Sequence, residues 1–261
     1  MKRVTHFRGL SPAERLLKTL GVIEPNEIDL DAIAYDQGVE VIYRPLDGCE
    51  AQIAGVEDRA AVVINQTSGR KRRRFSLAHE LGHWHHHRGK TLACRTDGER
   101  HPSSRATDPE RVADEYAADL LMPGYLFKPL SRNLKRADLE AARKLSDAFD
   151  TSLTATLIRL VELGPEPAIL VCHSPEGRKW FARGPDVPRR WFPKDELDPD
   201  SYAMDVLYER TDESRRAVIG ADAWFDRREA ERFEVFEQSI RTIAGRVLSL
   251  VVLKDGEMLE E

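Results

Sequence analysis

The sequence predicts an α+β protein of two domains, and three observations carry that prediction. A helical run holding His79-Glu80-Leu81-Gly82-His83 follows three strand-like apolar runs. A second helical run, from residue 108 to 122, sets two carboxylates, Glu110 and Asp114, four positions apart. After Gly164-Pro165-Glu166-Pro167 the pattern turns to a hairpin and short strands, so domains are expected at 1–165 and 166–261.

Residues 11–22 read as an amphipathic helix, with Ser11 as cap, Pro12 in the first turn, Leu16, Leu17 and Leu20 inward, and Gly21 at the end. Residues 28–37 form a second helix through Ile28, Leu30, Ile33 and Ala34, stopped by Gly38. Residues 39–43, 51–56 and 60–64 read as strands. A strand at the sheet edge can hold an extended peptide by main-chain hydrogen bonds. Ala51–Val56 is the candidate, against the plainer reading of an interior strand. Gly69-Arg70-Lys71-Arg72-Arg73-Arg74 is either a solvated helix start or a surface for an acidic partner or nucleic acid. Its charge opposes the helix dipole. Residues 88–107 read as a polar loop. Residues 137–148 and 152–163 read as a helix pair turning at Asp150-Thr151-Ser152, with helix-turn-helix texture. The second helix of the pair offers one basic residue, Arg159, which favours packing or substrate docking over DNA reading. In the C-terminal domain, residues 168–173 and 179–182 form a hairpin, 184–200 a proline-rich loop and 202–208 a short helix. Residues 217–225, 232–241 and 246–253 read as strands, the last apolar enough to be buried.

The chemistry concentrates in the first two helical runs. Positions i and i+4 share a helix face, so His79 and His83 can aim at one metal ion. Glu80 is rotated about 100° from His79, beside the metal, where its carboxylate suits a general base. A longer pattern with a third histidine six positions on fails, because His86 and Gly89 stand where it needs glycine and histidine. The third ligand is expected from the run after Asp108, a cap residue followed by Pro109. Glu110 can reach the metal while Asp114 accepts a hydrogen bond from a ligand histidine. Glu115 is the rival, and His101 and Cys94 are weaker alternatives. His85, His86 and His87 read as surface or supporting residues, since His86 lies about 10 Å along the axis from His79.

These segments resemble the ImmA/IrrE family of zinc-dependent peptidases, whose pattern is roughly RRFxxAHExGHxxxH followed by Glu-x-x-Ala-Asn-x-Phe-Ala-Ala-x-Leu-Leu-Met-Pro. Here the first part stands as Arg73-Arg74-Phe75-Ser76-Leu77-Ala78-His79-Glu80-Leu81-Gly82-His83 with His87 following. The second runs from Glu110 to Pro123, with Asp114 for the usual Asn and Tyr116 for the usual Phe. The resemblance covers most of residues 11–165 and implies a zincin-like N-terminal domain that binds Zn2+ and cleaves a protein. It also implies the substrate class: a helix-turn-helix transcriptional repressor, cleaved to derepress stress-response or mobile-element genes. The helix pair at 137–163 recurs in the family, and C-terminal extensions there are sometimes sensor-like.

Composition narrows the setting. A net charge of −5 argues against a primary nucleic-acid binder. No apolar run approaches the roughly 20 residues needed to span a bilayer, so a cytoplasmic protein without membrane contact is expected. Cys49, Cys94 and Cys172 are too few and scattered for a disulfide framework, and no CxxC suggests a second zinc. The expected function is an intracellular zinc endopeptidase. The alternatives are a non-catalytic zinc-fold regulator or toxin–antitoxin component acting by partner binding, and a DNA-binding regulator using the helix pair.

Overall fold

The computed structural model describes residues 9–87, 108–134, 136–242 and 245–260. Among these, eight α-helices and two sheets form a mixed α+β fold. Two compact units emerge. One holds the described residues up to Phe127 together with Ser146–Ser152; the other holds Lys128–Leu145 and the residues from Leu153 onward.

In the first unit, Ser11 and Glu14 cap α1 (Pro12–Thr19) reciprocally: Glu14 N–H donates to Ser11 Oγ and Ser11 N–H to Glu14 Oε2. The other oxygen of Glu14 accepts the Gly124 N–H at 2.6 Å, at the start of α5 (Gly124–Asn133). One buried carboxylate therefore satisfies orphan donors of two helices. The second helix, α2 (Leu30–Asp36), starts two residues later than its periodicity suggests. Asp29 takes the cap, accepting the N–H groups of Asp31 and Ala32, and Pro25–Glu27 form a 3-10 turn.

Strands β1 (Val39–Arg44), β2 (Ala51–Val56) and β3 (Arg59–Asn65) make a sheet of order β1-β3-β2. β1 runs parallel to β3 and β2 antiparallel, so β2 is an edge strand and β1 is the other. Gly38 enters the sheet at φ +75°, where a Cβ would stand 2.6 Å from the Asp58 carbonyl oxygen. Helix α3 (Arg70–His87) packs on this sheet. Gly55 of β2 has no room for a Cβ, which would meet the Trp84 ring at 2.4 Å, and Trp84 Nε1 donates to Gln37 O.

The basic start of α3 is tied down by acceptors of its own unit. Arg70 Nε lies 2.7 Å from Asp150 Oδ2, Lys71 donates to Ser146 Oγ, Arg72 faces Glu50, and Arg73 donates to Gln66 O. These partners offset the unfavourable dipole contact, so the run is neither simply solvated nor wholly open. Helix α4 (Pro109–Leu121) begins as its sequence suggests, with Asp108 accepting the Glu110 N–H.

In the second unit, α7 (Leu153–Leu163) and the first part of α6 (Leu139–Phe149) accompany a five-stranded antiparallel sheet. Its strands are β4 (Ala168–Ser174), β5 (Gly177–Arg183), β6 (Ala217–Gly220), β7 (Glu234–Arg241) and β8 (Val247–Leu253), in the order β5-β4-β8-β7-β6. β4 and β8 are buried along their whole length, and Trp191, Trp224, Phe225, Val235, Val251 and Met258 pack over one face. The grouping differs from a division at residue 165. Leu139 N–H donates to Gln238, Ala137 N–H to Glu166, and Arg143 pairs with Glu213, so long-range bonds cross the Gly-Pro punctuation. The strand expected at 217–225 ends at Gly220, because Ala221–Ala223 turn into a 3-10 helix that carries Trp224 and Phe225 into the core. β7 starts at Glu234 instead of 232, after the 3-10 segment Arg228–Arg232. In α7 the basic residue Arg159 is buried and pairs with Glu162 at 3.3 Å, which suits packing and not DNA reading. No helix among the described residues is long and apolar enough to cross a membrane.

Candidate metal centre

Gly82 sets the centre. A Cβ at this position would fall 2.9 Å from both Cα and O of Ala113, so the backbones of α3 and α4 touch there. That contact brings the first turns of α4 over the histidines of α3. His79 and His83 are buried, one turn apart, with ring centroids 4.6 Å apart and planes at 84°. Their Nε2 atoms are 3.0 Å apart. Glu110 reaches both: Oε2 is 3.3 Å from His79 Nε2 and Oε1 is 3.3 Å from His83 Nε2. Asp114, one turn further along α4, places Oδ1 2.8 Å from His79 Nδ1.

The atom types decide what this cluster can do. With its Nδ1–H donated to Asp114, His79 presents a lone pair at Nε2, aimed at another imidazole nitrogen and a carboxylate. With His83 in the same tautomer, three lone pairs would converge, an arrangement that suits a cation. The spacing fits one as well. Ligands about 2.0–2.1 Å from a tetrahedral zinc lie about 3.3 Å from each other. Ligand atoms of His79, His83 and Glu110 all lie within 4.8 Å of one another, a possible metal site. Both histidine side chains are at most 2% exposed while that of Glu110 is 45% exposed, so the centre opens to solvent on the α4 side.

Glu80, 2% exposed, lies beside His79 in α3. The rival ligand Glu115 is not brought to the histidines; it is 62% exposed and pairs with Arg111 at 2.8 Å. His85 and His86 are exposed at their positions on α3, and their rings pack on Tyr116. The loop expected at 88–107, with His101 and Cys94, lies outside the described residues, as does the His87 side chain. Sequence reasoning missed Asp150, read only as a turn residue. At φ +51° it directs one carboxylate oxygen to Arg70 and Arg74, anchoring the start of α3. The only signal for it is the spacing of the two arginines on one helix face.

No curated protein matches the chain. The fold is similar to that of a solved transcriptional regulator from Mycobacterium tuberculosis, with a TM-score of 0.63 and 14% identity, covering 92% of this chain and 74% of that one. At that identity the likeness speaks for the fold alone. Residues 34–161 match the family model of the IrrE N-terminal-like domain of the M78 peptidases. This segment contains the sheet, α3 and α4 with every residue of the cluster, and it is this segment that matches the ImmA/IrrE family, which suggests a metallopeptidase.

Proposed function

We propose that the chain is a cytoplasmic zinc-dependent endopeptidase whose substrate is a protein, in particular a helix-turn-helix transcriptional repressor. The observation that supports this most is the convergence of His79 Nε2, His83 Nε2 and the Glu110 carboxylate. These three residues would hold the zinc. When bound, zinc acidifies water and polarises a carbonyl. Asp114 keeps His79 in its Nδ1–H tautomer and fixes the ring. Glu80 takes a proton from the water on its carboxylate as the water oxygen bonds to the carbonyl carbon, then delivers it to the amine nitrogen as the C–N bond breaks. The edge strand β2 offers main-chain groups to an extended peptide.

A second reading, a regulator that keeps this fold and acts by binding a partner, draws on the likeness over 92% of the chain to a protein named as a transcriptional regulator. One experiment separates the two. Purified protein is incubated with helix-turn-helix repressors of its own genome, with and without chelator, beside Glu80→Gln. The peptidase reading expects chelator-sensitive cleavage that falls by about 10²–10⁴-fold in Glu80→Gln while zinc content stays normal. Full regulatory function in Glu80→Gln, with normal zinc, removes the peptidase reading.

A further inference from the structure

A cavity lies on the opposite side of α3 from the histidine cluster. Arg70, Arg73, Arg74 and Leu77 fall at i, i+3, i+4 and i+7, one face of the helix. His79 is rotated about 200° from Leu77 and faces away. The cavity measures about 510 Å3, and its polar walls include Asp29, Asp31, Tyr43, Arg70, Arg73 and Arg74. Small-molecule sites run from about 300 to 1,000 Å3.

The hydrogen-bond inventory of these walls is uneven. The carboxylates are engaged: Asp29 accepts two N–H groups at 3.1 Å, and Asp31 accepts the Tyr43 hydroxyl at 3.0 and 3.1 Å. Arg70 and Arg74 share a single oxygen of Asp150, at 2.7 and 3.4 Å from their Nε atoms. The Nη atoms of Arg74 reach only Ile28 O, at 3.4 and 3.5 Å, longer than a good N–H···O bond. Arg73 donates to one carbonyl, Gln66 O, and makes no ion pair among the described residues. Burial pushes the Arg74 guanidinium below its usual range, against the pull of Asp150, and the neighbouring Arg70 adds to the depression. Of the three guanidinium groups, two share one pairing carboxylate oxygen and the third has none, with Asp29 and Asp31 acting on Arg74 through space alone. An oxyanion with several acceptor oxygens would use the remaining N–H donors, and a dianion suits three cations better than a single carboxylate does. Asp29 and Asp31 retain lone pairs that can accept from ligand hydroxyls.

We propose that this cavity binds a small, hydroxyl-bearing phosphate ester, with the phosphate group on Arg73 and Arg74, Arg70 beside it, and the hydroxyls toward Asp29 and Asp31.

Calorimetric titration of the zinc-loaded full chain in chloride buffer tests this, with inorganic phosphate, ribose 5-phosphate and ribose as probes. The expected result is saturable binding of ribose 5-phosphate, about tenfold or more tighter than inorganic phosphate or ribose. Arg73→Gln, a partly exposed position, should weaken that binding by about tenfold or more with zinc content and melting temperature unchanged. Arg74→Gln should do the same, and if that variant fails to fold, Arg73→Gln alone decides. Phosphate-ester binding that persists in Arg73→Gln, or no saturable binding in the wild type, overturns the site. Inorganic phosphate binding as tightly as the ester overturns the ester assignment.

Discussion

Each unit holds a carboxylate cluster, and the two clusters are built on opposite principles. Glu237 in β7 is fully buried and accepts from the Ala203 N–H at 2.6 Å, Trp224 Nε1–H at 3.0 Å and the Ser239 hydroxyl at 3.1 Å. Each of these neighbours is a donor, so the group is satisfied from within and serves to hold the start of α8 (Tyr202–Leu207) and the Trp224 ring. Beside Glu110 stand two imidazole nitrogens, each 3.3 Å from one of its two oxygens. Exposure separates the two, Glu237 being fully buried and the Glu110 side chain 45% exposed, but it does not say what each is built to hold. They are told apart by the chemistry of the neighbours: N–H and O–H donors around Glu237, and imidazole nitrogens that could share a metal ion beside Glu110.

The largest effect should come from breaking the contact that assembles the histidine cluster. Gly82→Val would drive a Cβ within 2.9 Å of the Ala113 backbone. It should cost about 1–3 kcal/mol of stability and abolish stoichiometric zinc, read by melting and elemental analysis. Normal zinc content in that variant would mean that something other than the α3–α4 approach sets the geometry.

Glu237→Gln probes the closed cluster. A glutamine places an N–H₂ against one of the N–H or O–H donors, at a cost of about 1–3 kcal/mol. Burial raises the Glu237 pKa above 4.5, partly opposed by the hydrogen bonds from Trp224 and Ala203. A carboxyl whose folded value is raised stabilises fully below its unfolded value, and loses that contribution as pH rises through the folded value. The gap between wild type and Glu237→Gln should therefore be widest in acid and narrow as pH rises above about 4.5. Denaturation at a series of pH values checks this, and a gap that widens with pH would contradict the closed-cluster account.

Asp114→Asn should keep the fold and weaken zinc about 10–100-fold in a chelator competition, because the amide oxygen still accepts from His79 but without charge. The smallest effect belongs to Glu115→Ala. It removes an exposed i, i+4 pair with Arg111, worth at most about 0.5 kcal/mol, and should leave zinc content untouched. A loss of zinc there would reinstate Glu115 as a ligand.

Much of this arrangement is legible in the chain. The spacing of His79 and His83, and of Glu110 and Asp114, reports two helix faces before any packing is known. The three strands before α3 follow from their apolar runs and turn residues, and β2 is at the edge. Other features are silent because local periodicity names a face and not its partner. Arg70 finds Asp150 eighty positions away, and the pairing of Arg70 with Arg74 on one helix face asks for an acid without saying which. The start of α2 is set by Asp29 accepting two N–H groups, which overrides the apolar pattern that would include Ile28. Residues 139–145 group with the C-terminal sheet through bonds such as Leu139 to Gln238, which no punctuation in the sequence encodes.

The discontinuity of the first unit has a consequence for the order of events on the ribosome. His79 and His83 emerge before Glu110, and Glu14 waits for Gly124 to complete its second hydrogen bond. Arg70 waits longer still, for Asp150. At about 5–20 residues per second, several seconds separate synthesis of the histidines from that of the last anchor of their helix. A nascent chain therefore carries its two histidines before the carboxylate that stands beside them, and any metal held by all three residues would have to wait for elongation past Glu110.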